Sequence, residues 1–176
     1  MSKASIKAFL KGGKTIVEGQ DNVKALLESG YGNLSDGDTL VLSVYEALYL
    51  LGEEKISVTN GNGGKQLTFT ELAKILCLTD KETWTKYLIY RDLRSRGYVV
   101  KDGFGFGIDF RVYERGDYNK KAAKFVVLGI REGMLISLHR LIGALHAVQN
   151  MKKELILAVI DRRGEIVYYL LSQLTF

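Results

Sequence analysis

The chain predicts an α+β fold, and three observations carry that prediction. Capping boxes open a series of amphipathic helical stretches in the first half. After Tyr98 the pattern changes to strand-like segments separated by glycine turns. Near the end, Glu154–Ile160 is apolar from Leu155 onward, as expected of a central strand buried on both faces. The change near Leu78 divides the chain into an N-terminal αβ domain (residues 1–78) and a C-terminal αβ domain (residues 79–176).

The elements follow in order. SIKAFL and TIVEG are strand-like, and NVKALLESG is an amphipathic helical turn closed by Gly30. Ser or Thr followed three residues later by Glu occurs as Ser43 with Glu46, Thr68 with Glu71 and Thr79 with Glu82. The first box opens SVYEALYLL, which stops at Gly52; KISVTN then reads as a strand and Gly61–Gly64 as a turn. The second opens TELAKILCL. The third opens KETWTKYLIYRDLRSR, which stops at Gly97 and carries Trp84, Leu88 and Leu93 as a packing stripe. YVV, FGIDFRVYE and KFVVLGI read as strands, the first two joined by a tight glycine turn. Leu138, Leu141, Ile142, Leu145 and Val148 lie at helical spacing. After Glu154–Ile160, the turn DRRG leads into a last strand, EIVYYLL.

Composition narrows the function class. The 176 residues bury enough surface to need no disulfide or metal staple. The single cysteine, Cys77, excludes an internal disulfide, suits a reducing intracellular location, and reads as a buried structural thiol. No signal-peptide core and no run of membrane-spanning length is expected, which places the protein in the cytoplasm. The 25 basic and 20 acidic side chains give a charge of +5, a mild lean toward polyanions. His139 and His146 are seven apart on one helix, a spacing unlike the usual chelating pairs, so neither a metal nor a cofactor is expected. Arg111, Arg115, Lys120, Lys121 and Lys124 interleave with Tyr113, Tyr118 and Phe125. That mixture suits RNA backbone and base contacts, and equally a solvated strand face.

Five pieces in order carry a resemblance: GYGN (Gly30–Asn33), LVLSVYEALYLL (Leu40–Leu51), YRDLRSRGYVVKDGFGFGIDFRVYERG (Tyr90–Gly116), KFVVLGI (Lys124–Ile130) and MKKELILAVIDRRGEIVYYLL (Met151–Leu171). Over nearly its whole length the chain resembles the archaeal tRNA-splicing (tRNA-intron) endonucleases. The resemblance implies a small N-terminal αβ domain, a C-terminal nuclease domain with a mixed sheet, a tetramer, and precursor tRNA cut at bulged intron boundaries. It also implies metal-free attack of a ribose 2′-hydroxyl on the adjacent phosphate, leaving a 2′,3′-cyclic phosphate and a 5′-hydroxyl. Such a reaction needs a base, an acid and a cation. The family supplies them as Tyr, His and Lys.

By this resemblance the Tyr position is Tyr113 and the Lys position is Lys153, with Lys152 as its neighbouring alternative. The His position holds Ala122, which transfers no proton, and the preceding GDYNKKAA is short for the loop that presents the histidine. An Arg on the helix, seven residues before the catalytic Lys, is here His146. In the docking loop Asp161-Arg162-Arg163-Gly164-Glu165, Asp161 matches the family's acidic pattern and Arg163 departs from it. The resemblance is closest to the structural subunit of the two-chain, heterotetrameric enzymes, with Tyr113 and Lys153 vestigial. It implies RNA contacts at Arg111, Arg115, Lys124 and His146, docking through Asp161, Arg162, Arg163 and Glu165, a catalytic partner chain, and homotypic pairing through the last strand. The alternatives are an active nuclease with a relocated acid such as His139, and a stand-alone RNA-binding or assembly module.

Overall fold

A computed structural model describes residues 5–35, 38–77, 81–105 and 107–173, without the side chains of Cys77 and Lys81. It divides into two compact units, residues Met1–Tyr87 and Leu88–Phe176. Both are α+β with a mixed sheet, the fold class that the sequence predicts.

The first unit begins with β1 (Ile6–Lys11) and β2 (Lys14–Glu18), an antiparallel hairpin. Helix α1 (Gln20–Glu28) buries Val23 and Leu26 and is closed by Gly30 at φ 78°, as expected. Strands β3 (Asn33–Leu34) and β4 (Thr39–Leu42) follow. Next come α2 (Val44–Gly52), β5 (Ile56–Asn60), β6 (Gln66–Leu67) and α3 (Phe69–Cys77). The sheet order is β3-β4-β2-β1-β5-β6, and only β1 and β5 run parallel. The capping box at Ser43 is complete, each partner's side chain accepting from the other's backbone N–H. The box at Thr68 is equally closed, with Thr68 N–H on Glu71 Oε2 at 2.8 Å and Glu71 N–H on Thr68 Oγ at 3.3 Å. Thr79 lies outside the described residues, as does the burial expected of the Cys77 thiol.

Helix α4 (Lys81–Ser95) runs across the division of the chain. Its stripe differs from the expected one. Thr85, Ile89 and Leu93 are buried at four-residue spacing, whereas Trp84 is 43% exposed and leans on Tyr87, ring centroids 5.0 Å apart. The core line therefore runs one residue away from Trp84 and Leu88, and only Leu93 belongs to both patterns.

The second unit then builds β7 (Val99–Gly105), β8 (Ile108–Tyr113), β9 (Phe125–Arg131), α5 (Leu138–Asn150), β10 (Glu154–Ile160) and β11 (Ile166–Leu171). The order is β11-β10-β9-β8-β7, antiparallel except for β9 with β10. Parallel neighbours require a crossover, and α5 supplies it. The β7–β8 turn depends on glycine: a Cβ on Gly103 would lie 2.0 Å from the Ile108 carbonyl oxygen, and Gly105 and Gly107 have φ of 97° and 77°. Helix α5 packs Ala144 and Val148 on Val126, Leu128 and Leu155. Leu138 and Ile142, expected in its apolar stripe, are 69% and 43% exposed, because the sheet covers a narrower face than the apolar spacing offers. Strand β10 is interior, with Leu155, Ala158 and Ile160 buried and the rest partly covered. Strand β11 forms a sheet edge on which Val167, Tyr169 and Leu170 are exposed.

Candidate functional site

One end of the C-terminal sheet brings three of the residues singled out in the sequence, Tyr113, Lys124 and Lys153, to neighbouring strand positions. Val112 pairs with Phe125, and Phe125 with Glu154. One step further out, on three adjacent strands, come Tyr113 at the end of β8, Lys124 before β9 and Lys153 before β10. Glu154 N–H donates to the Lys124 carbonyl at 3.1 Å and holds the last two together.

Local structure explains each placement. Tyr113 is half-buried, its ring edge-on to Tyr118 at 5.2 Å and 85°. Tyr118 belongs to a turn in which the N–H groups of Lys120 and Lys121 donate to the Asp117 carbonyl and the Lys121 ammonium pairs with Asp117 at 3.1 Å. Asn119 takes a φ of 65° there, a conformation that Asn tolerates better than most residues. This turn delivers the chain to exposed Ala122 and buried Ala123. Helix α5 ends with Lys152 in the left-handed region at φ 53°, a position usually given to Gly. The next residue, Lys153, enters β10 half-buried and donates its ammonium to the Ala123 carbonyl. Of the two adjacent lysines, Lys153 is thus the one turned to the segment that holds Ala122, and Lys152 is exposed.

The basic residues are spread along the unit. Arg111 Nε donates to the Asp102 carbonyl at 2.8 Å. Arg115 donates from Nε and a terminal nitrogen to the Arg96 carbonyl, lying against Gly97, where any Cβ would meet Nε at 2.8 Å. Lys124 pairs with Glu114 at 3.2 Å and stands 4.8 Å from the Phe125 ring centroid. His146 is exposed on α5, four residues before its end, and His139 is exposed at its start. Residues 88–176 hold fifteen Lys and Arg against nine Asp and Glu, so this unit carries the chain's positive balance.

The loop between β10 and β11 is organised by Asp161. Its Oδ1 accepts from Glu165 N–H at 2.9 Å and Arg163 N–H at 2.8 Å, and these bonds, that to Glu165 first, hold its carboxyl below the usual carboxylate range. Arg162, Arg163 and Glu165 are exposed.

One cluster escaped the sequence reading. Tyr168 on β11 donates its hydroxyl to Asp92 on α4 at 2.7 Å, Asp92 pairs with Arg96 at 2.8 Å, and Arg96 lies 5.6 Å from the Tyr168 ring centroid. Burial, then the Asp92 bond, pushes the Tyr168 phenol far above its ordinary pKa. The i,i+4 charges at Asp92 and Arg96 were a visible signal; the distant tyrosine left none. Among the described residues no three His, Cys, Asp or Glu side chains are grouped to hold a metal ion.

Tyr113 ends β8 and Lys153 precedes β10 at the same end of a basic mixed sheet, with Ala122 in the segment that enters β9 between them. Fold and site together define a two-domain α+β protein with a mixed five-stranded C-terminal sheet in its more basic unit. Residues 6–73 match the family model of the tRNA intron endonuclease N-terminal domain, and residues 83–168 that of the tRNA intron endonuclease catalytic C-terminal domain. The chain is 34% identical over 167 residues to the tRNA-splicing endonuclease of Methanococcus vannielii, covering 95% of this chain and 93% of the relative. It is 33% identical over 168 residues to that of Pyrococcus furiosus (95% of each), and 33% over 175 residues to that of Thermococcus onnurineus (99% of each). The chain belongs to the tRNA intron endonuclease family.

Proposed function

We propose that this chain is the structural subunit of an archaeal tRNA-splicing endonuclease that excises introns from precursor tRNA. In this reading a catalytic partner chain supplies the Tyr, His and Lys. It cleaves bulged splice sites without metal, leaving 2′,3′-cyclic phosphate and 5′-hydroxyl ends. The present chain contributes the scaffold of a cytoplasmic heterotetramer. The observation that carries the reading is Ala122, exposed in the segment that enters β9, whose next residue, Ala123, receives the Lys153 ammonium. A positioned acid or base is worth ~10²–10⁴ in rate, so a subunit without one is a weak catalyst. The Lys153 ammonium, bonded to the Ala123 carbonyl, is already used to hold the chain.

Exposed apolar side chains on β11 support pairing through that strand, since an open edge is a template for another strand. Arg111, Arg115, Lys124 and His146 serve as RNA contacts, and the loop Asp161–Glu165 as a docking element, with its exposed arginines in place of an all-acidic loop. His139 is poorly placed as a substitute acid. It lies eleven residues before the end of α5, about 16 Å along the helix axis from the end that leads to Lys153.

The test is cleavage of a bulged precursor tRNA, without metal, by this chain alone, by a catalytic homologue alone and by the two mixed. Activity confined to the mixture, or much stronger there, is the expected result. Comparable cleavage by this chain alone overturns the structural-subunit reading.

A further inference from the structure

The turn between β5 and β6 holds both of the chain's Asn-Gly pairs, Asn60-Gly61 and Asn62-Gly63. The other asparagines precede Val, Leu, Lys or Met. An Asn before Gly is chemically distinct, because glycine lacks the Cβ that would screen its backbone nitrogen from the asparagine side chain. The structure separates the two pairs. Asn60 ends β5, where it pairs with Leu10 of β1, and Gly61 N–H donates to the Leu10 carbonyl at 3.0 Å. Asn60 N–H donates to the Lys65 carbonyl at 2.9 Å, and the Gly61 carbonyl accepts from Thr59 Oγ at 2.8 Å. Gly61 is thus fastened on both sides. Asn62 and Gly63 are the two central residues of the turn that Gly64 N–H closes on the Gly61 carbonyl at 3.4 Å. Both are exposed, Gly63 takes φ 77°, and a Cβ on it would meet nothing within 4 Å. Among the described residues nothing accepts from Gly63 N–H.

We propose that Asn62 is a site of non-enzymatic modification, converting to isoaspartate and aspartate through attack by the Gly63 backbone nitrogen, and that the fold protects Asn60 from the same reaction. In the first step the Gly63 nitrogen loses its proton and bonds to Cγ of Asn62. The Cγ–Nδ2 bond breaks, ammonia leaves with a proton, and a cyclic succinimide remains. Water then opens the ring. Addition at the backbone carbonyl leaves the chain running through Cγ, as isoaspartate; addition at Cγ gives aspartate. The net change exchanges a water for an ammonia, with nothing oxidised or reduced. The attack needs a free backbone nitrogen and room for the Asn62 side chain to swing over it, and the unfastened turn tip offers both. At Asn60 the bond from Gly61 to Leu10, at the end of a strand pair, must open first, which is a local unfolding step. The product places a carboxylate in the turn that closes on Lys65, the lysine that pairs with Glu71. The inference is independent of the subunit role, since it concerns the chemistry of the first unit and not RNA cleavage.

The test incubates the folded full chain in heavy-oxygen water at mildly alkaline pH, beside a sample unfolded in urea. Peptide mapping by mass spectrometry resolves asparagine, aspartate and isoaspartate at both positions. In the folded chain the label is expected to enter at Asn62 at least about tenfold faster than at Asn60, where a backbone hydrogen bond and its strand pair must open. The rate at Asn62 is expected to rise with pH, since the attacking nitrogen must lose its proton. In urea the two rates are expected to converge. Equal labelling of the two positions in the folded chain overturns the inference. So does a folded chain labelled at neither position while the unfolded chain is labelled at both, for Asn62 is then as protected as Asn60. A difference that persists unchanged in urea belongs to local sequence and overturns the role given to the fold.

Discussion

Lys153 donates its ammonium to the carbonyl oxygen of Ala123, the residue that follows exposed Ala122. The lysine side chain thereby ties the entry of β10 to the entry of β9, two parallel neighbours that meet at the end where Tyr113 leaves β8. In the reading proposed above, Tyr113 and Lys153 stand for two of the three catalytic groups and Ala122 for the missing third.

The first prediction restores the third group. Ala122 is exposed, so a histidine there needs no rearrangement of the core. Ala122→His is expected to raise metal-free cleavage of a bulged precursor tRNA by ~10²–10⁴ over the parent chain, the usual worth of a positioned proton donor. Adding Lys153→Ala or Tyr113→Phe is expected to remove the gain. Cleavage by Ala122→His at the parent's rate counts against residue 122 as the missing part and points to the shortened preceding turn.

A second prediction concerns Lys152, the non-glycine residue with φ 53° that ends α5. A side chain in the left-handed region costs roughly 1–2 kcal/mol, and glycine avoids that at some cost in unfolded-state entropy. Lys152→Gly is expected to stabilise the protein by ~0.5–1 kcal/mol in denaturant unfolding, with Lys153 still in register. A loss of stability argues that the Lys152 side chain makes a contact worth more than the strain.

How much of this was legible in the sequence depended on whether the signal was local. Helices α2 and α3 announced themselves through Ser43 with Glu46 and Thr68 with Glu71, pairs whose two partners lie within one turn. The β7–β8 hairpin was readable from its glycines, which the close approach of Gly103 to Ile108 requires. Strand β4 was missed because Thr39–Leu42 runs directly into the cap of α2, and four residues carry too little alternation to stand apart. The stripes of α4 and α5 were set wrongly at Trp84, Leu138 and Ile142, since spacing gives an apolar face but not how much of it the sheet covers. At the site, the strand pattern was enough to place Tyr113 where β8 finishes and Lys153 just before β10 begins. The Tyr168–Asp92 bond joins residues 76 apart in sequence and leaves no local trace.

A third prediction lies in the first unit. Buried Glu46 accepts from Gly32 N–H at 3.0 Å and from Ser43 N–H at 2.9 Å, so one carboxylate caps α2 and holds the glycine loop before β3. Gly32 has φ 67°, and a Cβ there would lie 2.6 Å from the Cγ of fully buried Leu40. Gly32→Ala is therefore expected to cost at least ~2 kcal/mol, from left-handed strain and overpacking together. Glu46→Ala is expected to cost ~2–4 kcal/mol by leaving buried donors unpaired and opening the cap. Urea unfolding of each variant checks both values; near-parent stability in either sinks the argument for that contact.

The last prediction is a pH dependence with a definite sign. Glu71 closes the second capping box, accepting from Thr68 N–H at 2.8 Å, Lys65 Nζ at 2.9 Å and Thr68 Oγ at 3.0 Å. These bonds, the backbone one first, lower its carboxyl from an ordinary 4.5 to about 2. Folding thus favours the charged form. The contribution is complete above the unfolded value near 4.5 and is lost as pH falls through about 2, because only then does the folded state also take up the proton. Glu71→Gln removes this group's dependence. The parent is expected to be more stable than the variant at pH 6, with the gap closing between pH 4.5 and pH 2. Lys65→Met, which removes one of the three bonds, is expected to move the midpoint of that closure upward. The measurement is the difference in urea unfolding free energy between parent and variant across that range. A gap that stays constant through it shows that the Glu71 carboxyl titrates alike in both states, and the cap is then held by geometry without charge.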